Sequence, residues 1–581
     1  MFSENSFFIL ITLKYNNIEM NTRIDAICLV MDRTTMISYK QSIRNEEDIM
    51  RTIIKNAKIY IHKDYFVEAL SIENGIIKQI GKLDELEKSN SDEVIDLKGK
   101  TILPGLNDSH LHLASVGEFI RSCDLTSAAS IEDVIKIGKA FILEHAPHIL
   151  VGRGWNQDFF SPNDNRMIDK NDLDRISMEI PIIFSRVCGH VSVGNSKALE
   201  IIGLADAHLV DGGEILIGND GKPNGIFTEN AVYTLYSIIP EKSSEELESD
   251  LEKGMNYAIS VGITSVQSCD IMGSNSRMVF NTIDRMYREG KLKLRYGHQF
   301  NYQNINDFKN YLMTEHLTGI YDERFLSKGA LKLFKDGSLG ARTALMTRPY
   351  ADDPSTSGVA ALSDQQLFEL CDLAAANGIQ VITHAIGDAA IESVINAYEN
   401  TFSGETNPLR HGIVHCQITT AKQIERISKS RIPVMAQPIF IDYDMNIVES
   451  RVGFDLASTS YAFKTLLDSG APLNLGTDAP VENCNPFPNI YSAVTRKPIK
   501  NPTNKCFLEK EKLTVEEAID AYTIGSAYNE FKENFKGRLL PGYVADLIVL
   551  DRDIFLIDSM EIKDIKVDMT MIDGKIVYTC K

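Results

Sequence analysis

The stretch LPGLNDSHLHL, residues 103–113, decides how this chain is read. An apolar approach broken by Pro-Gly runs into two histidines two residues apart, His110 and His112. On an extended strand end, residues i and i+2 share a face, so both imidazoles point the same way. Two imidazoles so placed, just past a buried strand, form a natural ligand pair for a divalent metal. A bare His-x-His also suits two hydrogen-bonded structural histidines, so the rest of the chain has to supply the partners.

Four further residues follow apolar, strand-like runs: Lys332 in GALKLF, His384 in VITHAIGD, His415 in GIVHCQ and Asp478 in NLGTDAP. Lys332 alternates with apolar neighbours on the face of Ala330 and Phe334, where a free ammonium is costly to bury. Three readings of it stand side by side. Lys332 salt-bridges a neighbour, or Lys335 on the opposite face is the lysine that matters, or the Lys332 amine becomes a carbamate bridging two metals. A carboxylate such as Asp478, beside an activated water, can take its proton and return it to a leaving amine. Together with the His-x-His pair, these strand-end positions point to a metal site.

The carrier of that site is legible from spacing. Strand-like runs fall at 101–106, 263–267, 292–296, 330–334, 380–383, 412–414, 433–436 and 472–475, with helical segments such as 364–377 and 421–428 between them. Eight strands alternating with helices predict an α/β fold, a (β/α)8 TIM-type barrel. The interval from Ser265 to Arg295 is 30 residues, from Arg295 to Lys332 it is 37, and from His384 to His415 it is 31. The 63 residues from His415 to Asp478 make two such units. Between His112 and Ile263 lie about 150 residues where one unit needs roughly 30–40. A large insertion, about 120–250, therefore follows the first barrel strand. Loops after strands lie on the catalytic face, so it is expected to act as a lid or substrate wall.

Both chain ends read as β. The apolar run IIKNAKIYI (residues 53–61) precedes a hairpin with ENG at its turn, and ADLIVLD (545–551) precedes MTMIDGKIVY, a strand–DG–strand pattern. Residues 51–103 and 530–581 are expected to pair into one composite β-sandwich domain around a barrel at 104–529. Residues 1–50 read as an N-terminal extension.

Composition narrows the function classes. The chain has 581 residues and a formal charge of −20, which repels nucleic acid and anionic lipid. Nine cysteines without a Cys-x-x-Cys pair read as reduced thiols in a cytoplasmic setting. No apolar run approaches the roughly 18–20 residues of a membrane span. The early FFILITL (residues 7–13) has no basic residue before it and no small-x-small site close behind, so no secretion signal is expected.

The segments PGLNDSHLH, GHVSVGNSKAL, DGKPNGIFTEN, LKLFKDGSLGARTA, HAIGDAA, VHCQ, LGTDAPVE and GRLLPGYVADLIVLD occur in this order over about residues 51–581. With them the chain resembles the amidohydrolase superfamily, and within it the amidohydrolase 3 group that includes N-substituted formamide deformylase-like proteins. The resemblance implies one or two divalent metals, zinc foremost. His110, His112 and Asp478 would hold the more buried ion, His384 and His415 the other, with carboxylated Lys332 bridging. It also implies hydrolysis of a non-peptide carbon–nitrogen bond in a small molecule, of amide, N-acyl or N-formyl type, by a metal-activated hydroxide with Asp478 as proton shuttle. Three further residues are placed near substrate: His190 in the insertion, to contact substrate or polarise its carbonyl; Arg342, to bind a carboxylate; and Trp155, to line the pocket. Each has an ordinary counterpart: a hydrogen-bonded histidine, a structural salt bridge and a core tryptophan. The expected partner is a small-molecule amide, with neither nucleic acid nor membrane, and two copies of the chain pairing as a homodimer. The rival functions are a mononuclear deaminase of the same superfamily and a non-catalytic, hydantoinase-like scaffold. Lys332 in its expected place argues against the first, and the full ligand set against the second.

Overall fold

A computed structural model describes residues 51–580 apart from 87–92, 158–159, 162–163, 165, 188, 190, 205–212, 230, 241, 273–274, 315–321, 323, 403–406 and 501–504. The expected extension at 1–50 lies outside the described residues.

Eight parallel strands form the centre: β1 (Leu106–Leu111), β2 (Ile263–Met272), β3 (Arg295–Asn301), β4 (Leu326–Phe334), β5 (Val381–Ala385), β6 (Gly412–His415), β7 (Val434–Ala436) and β8 (Leu473–Leu475). Each pairs with the next, and the two ends of the sheet meet at a seam. No ladder joins β8 to β1. The loop after β8 closes the barrel instead: the Asp478 amide donates to His110 O at 2.8 Å and the His112 amide to Ala479 O at 2.8 Å. The fold is a nearly closed (β/α)8 barrel. Ala330, Ile382, Val414 and Met435, one each from β4 to β7, make a small apolar layer of their own. The larger core lies between the strands and the surrounding helices.

Helices form where caps and periodicity agree. The helix Asp364–Ala376 starts at a Ser363–Gln366 capping box, and Ala421–Lys429 at a Thr420–Gln423 box. The helix Ser244–Ser260 lies against Leu113–Arg121, which directly follows β1. The two approach so closely that a Cβ on Gly117 would stand 1.8 Å from Asp250 O, so only glycine fits there.

Both chain ends build β layers on the barrel. Strand Leu547–Leu550 pairs antiparallel with Thr101–Pro104 in a six-stranded mixed sheet, beside a four-stranded sheet that holds Arg51–Lys55 and Ala69–Glu73. The two sheets share one apolar core, with Ile54, Leu70 and Ile77 against Leu547, Val549 and Met571. The hairpin turns sit at Asn74-Gly75 (φ 52° and 76°) and Asp573-Gly574 (φ 53° and 73°), as two-residue turns with positive φ require. The turns touch: Ala545 N donates to Gly75 O, and Gly574 N to Ala545 O.

Two apparent single runs are broken. IIKNAKIYI is not one strand: Asn56 takes φ 52°, and the chain leaves one sheet at Lys55 and enters the other at Lys58. Residues 101–106 likewise divide at Gly105, where a Cβ would lie 2.2 Å from Thr264 Oγ1. Thr101–Pro104 belongs to the terminal layers and Leu106–Leu111 to the barrel.

The insertion after β1 carries its own six-stranded sheet, in the order Gly213–Ile217, Pro223–Glu229, Val191–Gly194, Ile182–Arg186, Leu150–Trp155, Cys123–Asp124. It has its own apolar cores. No helix among the described residues is long and apolar enough to cross a membrane.

Candidate metal centre at the barrel mouth

At the C-terminal end of β1, Asp108 is wholly buried and ties the seam together. Its carboxylate accepts from Thr477 N at 3.0 Å, Thr477 Oγ1 at 2.6 Å and His110 N at 3.1 Å. Burial pushes its pKa up to about 7, against these hydrogen bonds. The strap fixes the β8 loop beside β1, which sets Asp478 Oδ1 3.4 Å from His110 Nε2 and 3.5 Å from His112 Nε2. The donor atoms of these three residues all lie within 4.8 Å of one another. A tetrahedral ion with bonds of roughly 2.0–2.1 Å has ligand–ligand edges of about 3.3–3.4 Å, so this donor set fits a divalent cation.

The backbone is strained where the site is built. Asp478 (φ 54°) and His415 (φ 76°) adopt the left-handed region, at about 1–3 kcal/mol each for residues other than glycine. Burial would raise the Asp478 carboxyl, but the His112 hydrogen bond and the imidazoles of His110 and His415 hold it below the usual carboxylate range. Burial keeps His110 and His384 well below the ordinary histidine value and pulls His415 down to about 4, so all three imidazoles are neutral. His112 differs. Burial pulls it down, but the Asp478 hydrogen bond and the charges of Asp478 and Asp270 lift it above its ordinary value.

The other predicted ligands lie close by. The His415 ring stands perpendicular to that of His384 at 4.5 Å between centroids, and 6.2 Å from that of His110. His384 Nε2 lies 3.0 Å from Gly337 O and 3.5 Å from Asp336 Oδ1, so Nδ1 is its nitrogen without a hydrogen bond among the described residues. Lys332 is fully buried, with Nζ 3.6 Å from the Phe334 ring centroid and 3.3 Å from Leu333 O. Among the described residues it makes no ion pair. Burial draws its ammonium down to about 8. Lys335 is bound elsewhere, to Asp364 Oδ1 and Leu362 O, both at 2.6 Å.

The three residues expected near substrate fare differently. His190 lies outside the described residues. Trp155 is wholly buried in the insertion's core, donating from Nε1 to Phe184 O at 3.2 Å. Its contacts are those of the ordinary counterpart, a core tryptophan. The Arg342 guanidinium is engaged by Asp352 at 3.1 and 2.9 Å, and Asp352 also takes Arg451. Its contacts are those of a structural salt bridge.

Two residues escaped the sequence reading. Gln299 on β3 meets His110 Nδ1 at 2.6 Å, and Gln437, directly after β7, meets His415 Nδ1 at 2.7 Å. A signal for them exists: each is a polar residue near the end of a barrel strand that supplies no ligand. A cavity of about 570 Å³, lined by Gln267, Gln299, Ala330, Gln380, Glu530 and Phe531, opens on the other, N-terminal side of the strands. It lies away from the strand ends that carry the histidines.

Residues 93–578 match the amidohydrolase family. A protein of Bacillus subtilis (strain 168) named as an amidohydrolase, YtcJ, is 34% identical over 88% of this chain and 96% of its own length. N-substituted formamide deformylase of Arthrobacter pascens is 25% identical over 88% of this chain and 95% of its own. An uncharacterised metal-dependent hydrolase of Pyrococcus furiosus, a solved structure, superposes with a TM-score of 0.69 at 30% identity, covering 87% of this chain and all of that one. With a barrel of this topology, a donor set that fits a divalent metal at its mouth and a match over most of its length, the chain belongs to the amidohydrolase family.

Proposed function

We propose that this protein is a metal-dependent hydrolase that cleaves a non-peptide carbon–nitrogen bond in a small molecule, of amide, N-acyl or N-formyl type. The observation that carries the reading is the convergence of His110, His112 and Asp478 at ligand–ligand distances beneath the mouth of the barrel. The likeness to a formamide deformylase supports the bond type.

In this reading His110, His112 and Asp478 would hold one ion and His384 and His415 a second, with Lys332, as a carbamate, supplying a further anionic ligand. A divalent ion there supplies Lewis acidity and activates water as a nucleophile near neutral pH. Lys332 suits its role because burial draws its amine down to about 8, so a larger share of it than of an ordinary lysine is neutral and able to take up carbon dioxide. Asp478, held anionic by the imidazoles around it, takes the proton of the attacking water and delivers it to the leaving amine. The insertion forms the substrate wall, which is where the choice among amides is made.

The test is turnover of a panel of N-formyl and N-acyl amines by protein supplied with zinc and bicarbonate, read as release of free amine. Cleavage by the wild type and none by His110→Ala supports the reading. Release of ammonia from ring amines, with no amide cleaved, supports a deaminase instead.

A further inference from the structure

Gln299 and Gln437 occupy matching positions behind two of the metal-facing imidazoles. Each is nearly fully buried, at 2% exposure. Gln299 Oε1 lies 2.6 Å from His110 Nδ1, and its Nε2 donates to Ser109 O at 2.9 Å. Gln437 Oε1 lies 2.7 Å from His415 Nδ1, and its Nε2 donates to Met435 O at 3.0 Å.

The second bond of each glutamine determines the first. A backbone carbonyl only accepts, so the amide NH2 must face Ser109 O or Met435 O, and the amide oxygen must face the imidazole. That oxygen also only accepts. Nδ1 of each ring therefore carries the hydrogen, and Nε2 keeps its lone pair. Nε2 is the His110 nitrogen 3.4 Å from Asp478. His112 Nδ1 likewise faces an acceptor, Cys269 O at 2.8 Å.

We propose that Gln299 and Gln437 are positioning residues that lock His110 and His415 in the Nδ1–H tautomer, and so present both Nε2 atoms to the metal centre. A carboxylate in either position would add buried negative charge behind the ligand, whereas a carboxamide holds the tautomer without it. The role in metal binding rests on the metal-hydrolase reading; the tautomer assignment does not.

The experiment uses the full-length, metal-free protein with 15N-labelled histidine and long-range proton–nitrogen correlation spectra, with the His110 signals identified by their loss in His110→Gln. The expected result is Nδ1–H for His110 in the wild type and in Gln299→Glu, which keeps the accepting oxygen. In Gln299→Leu the Nε2–H form gains at least an equal share, and zinc affinity, measured by chelator competition, falls roughly 10–100-fold. Gln437→Leu does the same to His415. Unchanged circular dichroism and melting temperature in the metal-free state show that each variant is folded; if Leu does not fold, Gln299→Met serves. An unchanged His110 tautomer in a folded Leu or Met variant overturns the proposal. A changed tautomer in a chain that binds no zinc even as wild type overturns the metal reading and leaves the tautomer assignment standing.

Discussion

The Asp108 carboxylate accepts both the backbone N–H and the hydroxyl of Thr477, at 3.0 and 2.6 Å, across the one seam of the barrel without a strand ladder. These bonds join the two backbone bonds that close the seam and help to set Asp478 beside His110. Asp108→Ala leaves the Thr477 donors buried and unpaired, at a cost of about 2–4 kcal/mol. It is expected to lower the melting temperature and the bound metal together. A variant with full metal content and normal stability would show that the seam closes without this strap.

Asp478→Asn keeps the size of the side chain and its backbone bond to His110 O. It is expected to fold normally and to lose at least about 10³-fold in kcat, because both ligand charge and proton transfer are removed. Activity within tenfold of wild type would remove Asp478 as the proton shuttle.

Lys332→Ala is expected to reduce bound metal and to abolish hydrolysis, with partial rescue by added formate or acetate, whose carboxylate replaces a bridging carbamate. A variant with unaltered metal content and unaltered turnover would show that the buried amine has no part in the site.

His411 gives a pH prediction away from the centre. It is buried, its Nδ1 accepts the Val381 amide at 2.9 Å, and burial holds its pKa down at about 4. A depressed folded value means that the unfolded chain takes up a proton first as pH falls. The His411 contribution is complete above about 6.5 and is lost as pH falls through 4, to a limit of about 3 kcal/mol. His411→Asn should therefore lose less stability than wild type in denaturant titrations between pH 7 and pH 4.5. Parallel curves for the two proteins would contradict this.

Much of the fold was legible because buried parallel strands are written as apolar runs at regular spacing, with His110, His112, His384, His415 and Asp478 marking their C-terminal ends. Strand β3 was less so. RYGHQFN is polar, yet two of its polar residues have buried partners: Arg295 pairs with Asp546 at 2.6 Å, and Gln299 meets His110. Its position therefore read early, at 292–296. The sheet change at Asn56 was hidden because a single left-handed residue does not interrupt an apolar pattern. Trp155 was ambiguous for the converse reason: a large aromatic reads the same whether it packs or binds, and its place in the insertion's separate core is visible only in the fold. Gln299 and Gln437 were invisible because their importance lies in the partner each faces across the barrel.

The most direct test of the account is metal content per chain, by elemental mass spectrometry, for protein purified without chelators and for His110→Ala beside it. The account predicts two zinc-like ions per wild-type chain and at least one fewer in the variant. Wild-type protein that holds none, even after incubation with zinc and bicarbonate, would contradict it.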